Sequence, residues 1–83
     1  MEKSIYSGNY AYLIHILVRK RKQYDISQIA LANSLRKPQS FISKIEIRER
    51  RLDVIEFIEI CFALGINPKT VFNELVDNWI INR

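Results

Sequence analysis

Apolar residues recur every three or four positions through most of this 83-residue chain, and that spacing is the period of an amphipathic helix. Polar residues, prolines and a glycine divide the pattern into separate stretches. The pattern therefore predicts five helices, over about Asn9–Tyr24, Gln28–Ser34, Pro38–Ile47, Asp53–Leu64 and Pro68–Ile81. No repeat, linker or low-complexity segment interrupts the sequence, so we predict one all-α domain over residues 1–83, a compact five-helix bundle.

The predicted boundaries coincide with residues that start or stop helices. Side chains able to cap a helix N-terminus stand at the starts of the second, fourth and fifth segments, at Ser27, Asp53 and Asn67. Pro38 and Pro68 suit a first helical turn, because their missing N–H has no partner there. Asp25 and Gly65 tolerate the left-handed backbone at which many helices end.

The apolar positions also predict which side of each helix is buried. Two stripes are expected to face the core, Leu13, Ile16, Leu17 and the stem of Lys20 in the first helix and Ile29, Leu31, Ala32 and Leu35 in the second. The fourth helix is apolar around most of its circumference, and its acids Asp53, Glu56 and Glu59 form one outward strip. We therefore expect it to be the central helix of the core.

The third helix separates polar from apolar residues when its positions are projected at about 100° per residue. Ile42 and Ile45 fall on one side, with Phe41 at its margin. The opposite face contains no acid and consists of Gln39, Ser40, Ser43 and Lys44. These side chains can hydrogen-bond base edges in a DNA major groove, glutamine to adenine and lysine to guanine. The alternative is an ordinary solvated face, although such faces usually mix Glu with Lys.

Charge is distributed unevenly along the chain, whose net charge is +4. From Arg19 to Arg51 there are ten Lys or Arg against three acids, a net +7, whereas from Leu52 onward two basic residues face five acids, a net −3. A basic region of this kind favours a polyanionic partner, because neutralised phosphates release counterions. A solvated charged surface is the other interpretation.

Composition excludes several classes of protein. With 48% hydrophobic residues, two Gly and two Pro, the chain is too apolar for disorder and too poor in turn residues for an all-β domain. One cysteine cannot form an internal disulfide, so a cytoplasmic location is expected. The apolar stretch Tyr10–Val18 is too short to cross a membrane and is followed by basic residues without a cleavage site, so we predict neither a membrane span nor a signal peptide.

Nothing in the sequence predicts catalysis. His15 is the only histidine, and Cys61 lies in a mostly apolar helix where a core position is expected. There is no Gly-rich phosphate loop and no metal-ligand spacing. We therefore predict no enzyme activity, no cofactor and no metal.

The segment Ile26–Glu46 resembles the helix-turn-helix family of phage lambda Cro and repressor, the xenobiotic-response-element (XRE) type of transcriptional regulator. The family pattern is roughly L-S-Q-x-x-L-A-x-x-L-G-x-S-x-x-x-I-S-x-I-E-x-G. The chain supplies in register Ile26, Ser27, Gln28, Leu31, Ala32, Leu35, Ile42, Ser43, Ile45 and Glu46. It departs from the pattern at Arg36 and Arg48, where the family usually has glycine, and arginine adopts the positive φ of such positions only at a cost.

The resemblance implies roles for further residues. The motif spans residues 27–47, and Gln28, at the start of the second predicted helix of the chain, would donate to a DNA phosphate. Basic residues of the two connectors would contact the DNA backbone or remain solvated, namely Lys37, Arg48, Arg50 and Arg51. Arg21 and Glu46 match positions that form a partly buried ion pair between the first and third helices of similar repressors.

These observations predict a sequence-specific regulator of transcription that binds double-stranded DNA, specifically a repressor that reads a palindromic operator as a homodimer. The fifth helix holds more apolar surface than so small a core requires, and its expected interface residues are Phe72, Leu75, Val76, Trp79 and Ile80. Alternatively, this helix only closes the core against Tyr10 and Leu13. An antitoxin with a toxin partner, a restriction-modification controller and a protein-interaction module without DNA affinity remain the other functions open.

Overall fold

The computed structural model describes residues 8–83, which form five α-helices with no strand among them. The helices are α1 (Gly8–Gln23), α2 (Gln28–Ser34), α3 (Gln39–Glu46), α4 (Val54–Ala63) and α5 (Pro68–Ile81). The all-α, five-helix prediction is confirmed, and residues 1–7 of the predicted domain lie outside the described residues. None of the five helices is long and apolar enough to cross a membrane.

Side-chain caps fix the starts of three helices, at the predicted residues. The Ser27 hydroxyl accepts from the amide of Ala30 at 3.0 Å, and the Asn67 side chain accepts from that of Lys69 at 2.9 Å. At α4 the cap is reciprocal, because Asp53 and Glu56 each accept the other's backbone N–H, at 2.8 and 3.1 Å. Pro38 differs from the prediction: its backbone is extended (ψ 156°) and it precedes α3, since proline fixes φ but leaves ψ free.

Four helix ends close in the same way, with one residue in the left-handed conformation. These residues are Asp25, Arg36, Arg48 and Gly65, with φ of 58°, 57°, 63° and 74°. In each case the next amide reaches back to a carbonyl five residues earlier, as Lys37 N does to Ala32 O at 2.9 Å. This is the Schellman closure, in which glycine is usual because a Cβ at positive φ costs about 1 kcal/mol. Arg36 and Arg48, at positions where the family pattern has glycine, therefore adopt the left-handed conformation at some energetic cost.

The core draws on all five helices and on the connector before α4. Its buried apolar residues are Ile14, Ile16, Leu17, Leu31, Ala32, Ile42, Ile45, Leu52, Ile60, Cys61, Leu64 and Val71. Cys61 is completely inaccessible, and burial raises the pKa of its thiol to about 11. Tyr10 fastens the connector to α1, because its hydroxyl accepts from the amide of Leu52 at 2.9 Å.

Of the predicted buried positions, Leu13 is only half-buried and Ile29 is exposed, and the predicted central place of α4 is wrong. In α1, Ile14 is fully buried and Leu13 is not, because the side that faces the core also contains Arg21, which is seven residues from Ile14 and is itself buried. Ile29 is 54% exposed, since α2 turns only Leu31 and Ala32 fully inward. The helix α4 is not central: it buries Ile60 and Cys61 but leaves Phe62 68% exposed, along with Val54 and Ile55.

The helix α5 packs against α1 and α4. Val71 enters the core and Leu75 packs beside it, so α5 does close the core along one face. On the outside of the α1 contact, Glu74 accepts from Arg19 at 2.7 Å and from the Tyr12 hydroxyl at 3.4 Å. The Arg19 guanidinium lowers the pKa of the Glu74 carboxyl.

Candidate nucleic-acid interface

The helices α2 and α3 form a helix-turn-helix in which α3 is anchored by its apolar side. Ile42 and Ile45 are buried in the core, whereas Gln39, Ser40 and Lys44 are exposed on the other side. Ser43 is half-buried, and its hydroxyl donates to the carbonyl of Ser40 at 3.3 Å. The structure therefore brings the four residues of the predicted base-reading face together on one accessible side of α3.

Arg21 and Glu46 form a buried ion pair between α1 and α3. The guanidinium donates through Nε and Nη2 to the two carboxylate oxygens, at 2.6 and 2.9 Å, and through Nη1 to the carbonyl of Ile26 at 2.8 Å. The two side chains are 10% and 13% exposed. Because each of the three guanidinium nitrogens donates a hydrogen bond, two of them to one carboxylate, the pair fixes how the end of α3 lies against α1.

The same carboxylate connects the ion pair to the reading face. The Gln28 amide nitrogen donates to Glu46 Oε1 at 2.8 Å, and its amide oxygen accepts from Gln39 Nε2 at 3.4 Å. Gln28, which the resemblance assigns to a phosphate, thus lies between the core and Gln39 in the protein alone. Its backbone N–H belongs to the first turn of α2, where amides have no partner within the helix and suit an anion.

Arg50, one of the predicted backbone contacts, is held on the protein. Its Nη1 and Nη2 donate to the two oxygens of Glu56 at 3.0 and 2.8 Å, and its guanidinium lies 4.6 Å from the ring centre of Phe41. The Glu56 hydrogen bond raises the pKa of Arg50, and the same bond lowers the pKa of the Glu56 carboxyl. The Lys37 ammonium also lies near the Phe41 ring, at 5.3 Å.

The part that Glu56 and Phe41 play here was not predicted from the sequence. One local signal was present, because the spacing Asp53-x-x-Glu56 is a capping box and places the Glu56 carboxylate beside the connector that carries Arg50. The contact with Phe41 joins positions nine residues apart across a turn, and no local pattern predicts it.

The other predicted backbone contacts lie in the two connectors that border α3. Lys37 is exposed in the turn before α3. Arg48 is half-buried at the left-handed position after α3, and Arg51 is exposed two residues before the α4 cap. Basic side chains therefore stand at both ends of α3. Within residues 8–83, no group of His, Cys, Asp or Glu side chains is arranged to hold a metal ion.

The residues predicted for a dimer interface divide between two environments. Phe72, Trp79 and Ile80 are exposed, whereas Leu75 and Val76 are half-buried. Phe72 also lines an apolar groove of about 490 Å³ between α4 and α5, together with Val54, Phe57, Ile58, Phe62, Pro68, Lys69 and Asn73.

Comparison with known proteins agrees with this geometry. The sequence model of the family described as Helix-turn-helix matches residues 17–71. Among solved structures, the chain is similar to one described as an XRE-family like protein from Pseudomonas syringae pv. tomato str. DC3000, with 42% identity and a TM-score of 0.82. The similarity covers 83% of this chain and 84% of that one. No curated protein matches the sequence significantly. The chain therefore belongs to the XRE family of helix-turn-helix DNA-binding regulators, the family of phage lambda Cro and repressor.

Proposed function

We propose that this protein is a cytoplasmic repressor that binds a palindromic operator as a homodimer, with α3 as the recognition helix in the major groove. The observation that carries the proposal is the exposed, acid-free face of α3, formed by Gln39, Ser40, Ser43 and Lys44, on a helix whose other side is locked in the core. Gln39 and Lys44 have the donors and acceptor needed to read adenine and guanine. Lys37 and Arg48, at the two ends of α3, together with Arg51 and the first turn of α2 at Gln28, are the proposed phosphate contacts.

A selection of duplexes from a random library would test sequence reading. We expect one preferred site, and Gln39→Ala or Lys44→Ala should cost about 1–3 kcal/mol on that site and relax preference at one base pair. Gln23→Ala is the matched control, because Gln23 is an exposed glutamine on α1, outside the motif. If Gln39→Ala changed neither affinity nor preference, the assignment of the reading face would be wrong. No duplex affinity at low salt would favour the protein-interaction module instead.

The dimer proposal rests on the apolar outer side of α5. Phe72 and Trp79 lie two helical turns apart on one side of α5, at 55% and 49% exposure, with Val76 between them. Large exposed apolar side chains grouped on one side of a helix are typical of an interaction surface. A symmetric pair joined there would present two recognition helices to the two halves of a palindrome, about 34 Å apart.

Light scattering at micromolar concentration tests the dimer directly. We expect twice the 9.9 kDa mass of one chain, and Trp79→Ser should shift the protein toward the monomer. Ile29→Ser is the control, because Ile29 is similarly exposed but lies on α2. A species of 9.9 kDa with and without DNA would refute the dimer. Co-purification of that monomer with a toxin encoded by a neighbouring gene would favour the antitoxin function.

A further inference from the structure

Arg50 lies between the recognition helix and α4 and contacts both. Its guanidinium lies over the ring of Phe41, in the first turn of α3, at 4.6 Å, and donates two hydrogen bonds to Glu56, in the first turn of α4. Its backbone amide donates to the carbonyl of Lys44 at 3.2 Å, so the residue is also tied to the last turn of α3. The residue thus joins both ends of α3 to the start of α4, through its side chain at Phe41 and Glu56 and through its backbone amide at Lys44.

The electrostatic surroundings do not suit a phosphate at this guanidinium. The Arg50 side chain is 42% exposed, but the Glu56 carboxylate lies 2.8 Å from its guanidinium and offsets its charge, so a phosphate approaching there would meet the negative charge of Glu56. If Arg50 turned to a phosphate, the half-buried Glu56 would keep only its hydrogen bond from the Asp53 amide. Removing the hydrogen-bonded counter-ion of a partly buried carboxylate is unfavourable, even though the Lys37 ammonium also lowers the pKa of Glu56.

The contacts of Arg50 also use features that a phosphate contact does not need. A planar guanidinium can stack on an aromatic ring while it donates two parallel hydrogen bonds, and a lysine cannot do both. The chain offers Lys37, near the same Phe41 ring at 5.3 Å, as an exposed cation for a phosphate on this side of α3. Of the two cations beside Phe41, Arg50 is therefore bound by Glu56 of the protein, and Lys37 is the one expected to bind a phosphate.

We propose that Arg50 is a positioning residue, which sets the orientation of α3 against α4 through Phe41 and Glu56 and does not bind a DNA phosphate. The inference rests on the proposed DNA-binding function. It predicts that the contact acts on sequence recognition, because a recognition helix that is not held in register cannot make its base contacts.

The salt dependence of DNA affinity separates positioning from phosphate binding. Each lost phosphate contact reduces the slope of log affinity against log salt by about 0.9. We expect Arg50→Ala to weaken binding to the library-selected duplex about tenfold, within the usual range for one lost structural contact, and to leave the slope unchanged. Arg48→Ala is the control, because the loss of a phosphate ligand should reduce the slope and weaken selected and unrelated duplexes alike.

Two further variants give opposite outcomes for the two roles. Glu56→Gln keeps the capping box, in which glutamine serves as well as glutamate, but removes the counter-charge of Arg50. A positioning role predicts weaker specific binding, whereas a phosphate ligand freed from Glu56 would bind every duplex more tightly and steepen the slope. Arg50→Lys keeps the charge but not the stacked, forked geometry, so we expect it to behave like Arg50→Ala.

The proposal is overturned if Arg50→Ala lowers the slope of log affinity against log salt by about 0.9, or if Glu56→Gln strengthens DNA binding. It is also overturned if Arg50→Lys binds the selected duplex as tightly as wild type. Amide hydrogen exchange of the protein without DNA provides a separate readout. We expect Arg50→Ala and Glu56→Gln to speed exchange through α3 and the connector, compared with Arg48→Ala. Wild-type protein without duplex affinity would refute the proposed function, and unchanged exchange in both variants would refute the positioning role by itself.

Discussion

Replacing Glu46 with alanine removes the acceptor that Arg21 and Gln28 share inside the protein. Arg21 would keep its hydrogen bond to the Ile26 carbonyl at 2.8 Å and lose those to the carboxylate at 2.6 and 2.9 Å. The Arg21 side chain is only 10% exposed, so water cannot replace the lost partner fully. A buried charge left without its partner costs about 3–5 kcal/mol, and we expect a loss near the lower end because one hydrogen bond remains.

A loss of about 3 kcal/mol is large for a domain of this length, whose total stability is expected to be roughly 4–12 kcal/mol. The melting temperature should fall by roughly 12 °C or more. Urea unfolding followed by far-ultraviolet circular dichroism measures the free energy. The control is the double variant Arg21→Met/Glu46→Leu, which should unfold within about 1 kcal/mol of wild type, because an apolar pair replaces a buried ion pair at little net cost.

Either of two results would show that the unpaired Arg21 charge is not the cause of the lost stability. A loss below about 1 kcal/mol in Glu46→Ala would mean that solvent reaches Arg21 after all. A double variant as unstable as Glu46→Ala would mean that the lost stability comes from packing and not from the orphaned charge.

Three further predictions concern backbone conformation and pH. Gly65→Ala should lower the unfolding free energy measured in urea by about 1 kcal/mol, because Gly65 has φ +74°. No atom lies within 4 Å of an added Cβ at Gly65 or at Gly8, so Gly8→Ala is the control without backbone strain and should cost nothing. Arg36→Gly should raise the unfolding free energy by up to about 1 kcal/mol, since it relieves the strain at φ 57°, and a lower urea midpoint would contradict that account. The folded-state pKa values of Glu56 and Glu74 lie below the ordinary 4.5, so their contribution to stability is complete above about pH 4.5 and is lost as the pH falls through the folded values. The urea midpoint should therefore decline below about pH 4.5, and less so with glutamine at both positions.

Local signals were enough to predict each helix boundary to within one residue. Ser27, Asp53 and Asn67 cap helices through hydrogen bonds that span two or three residues, so the sequence around each cap contains both partners. The left-handed ends at Asp25 and Gly65 are local in the same way. Five helices and a helix-turn-helix follow from such short-range chemistry together with the family pattern.

The buried side of a helix was harder to predict, because it depends on neighbours distant in sequence. Apolar residues surround most of α4, and nothing in the sequence says that Phe62 stays exposed while Cys61 is covered. Helix α1 buries an arginine, so a search for apolar stripes alone selects Leu13 and Lys20 in place of Ile14 and Arg21. The family resemblance supplied the Arg21 and Glu46 positions that the apolar pattern could not.

The sequence was enough to predict which residues lie on the polar side of α3, but not the hydrogen bonds that join them to other segments. The polar face of α3 follows from helical projection alone, since Ile42 and Ile45 define the opposite side. The hydrogen bonds from Glu46 through Gln28 to Gln39 join three segments, and their geometry appears only after the helices have packed. The same is true of Arg50, whose two partners lie on different helices.

Because Cys61 is completely buried, the reaction of its thiol with a reagent can be used to measure unfolding of the unaltered protein. Cys61 is the one cysteine of the sequence, it has no accessible surface, and its raised thiol pKa keeps the reactive thiolate scarce while the fold is closed. A thiol reagent therefore reacts mainly with molecules that have opened enough to expose Cys61. The labelling rate reports this opening without a mutation or an attached fluorophore. Any ligand that binds only the closed form slows that rate by the factor 1 + [L]/Kd, so the unaltered protein can measure its own affinity for each duplex.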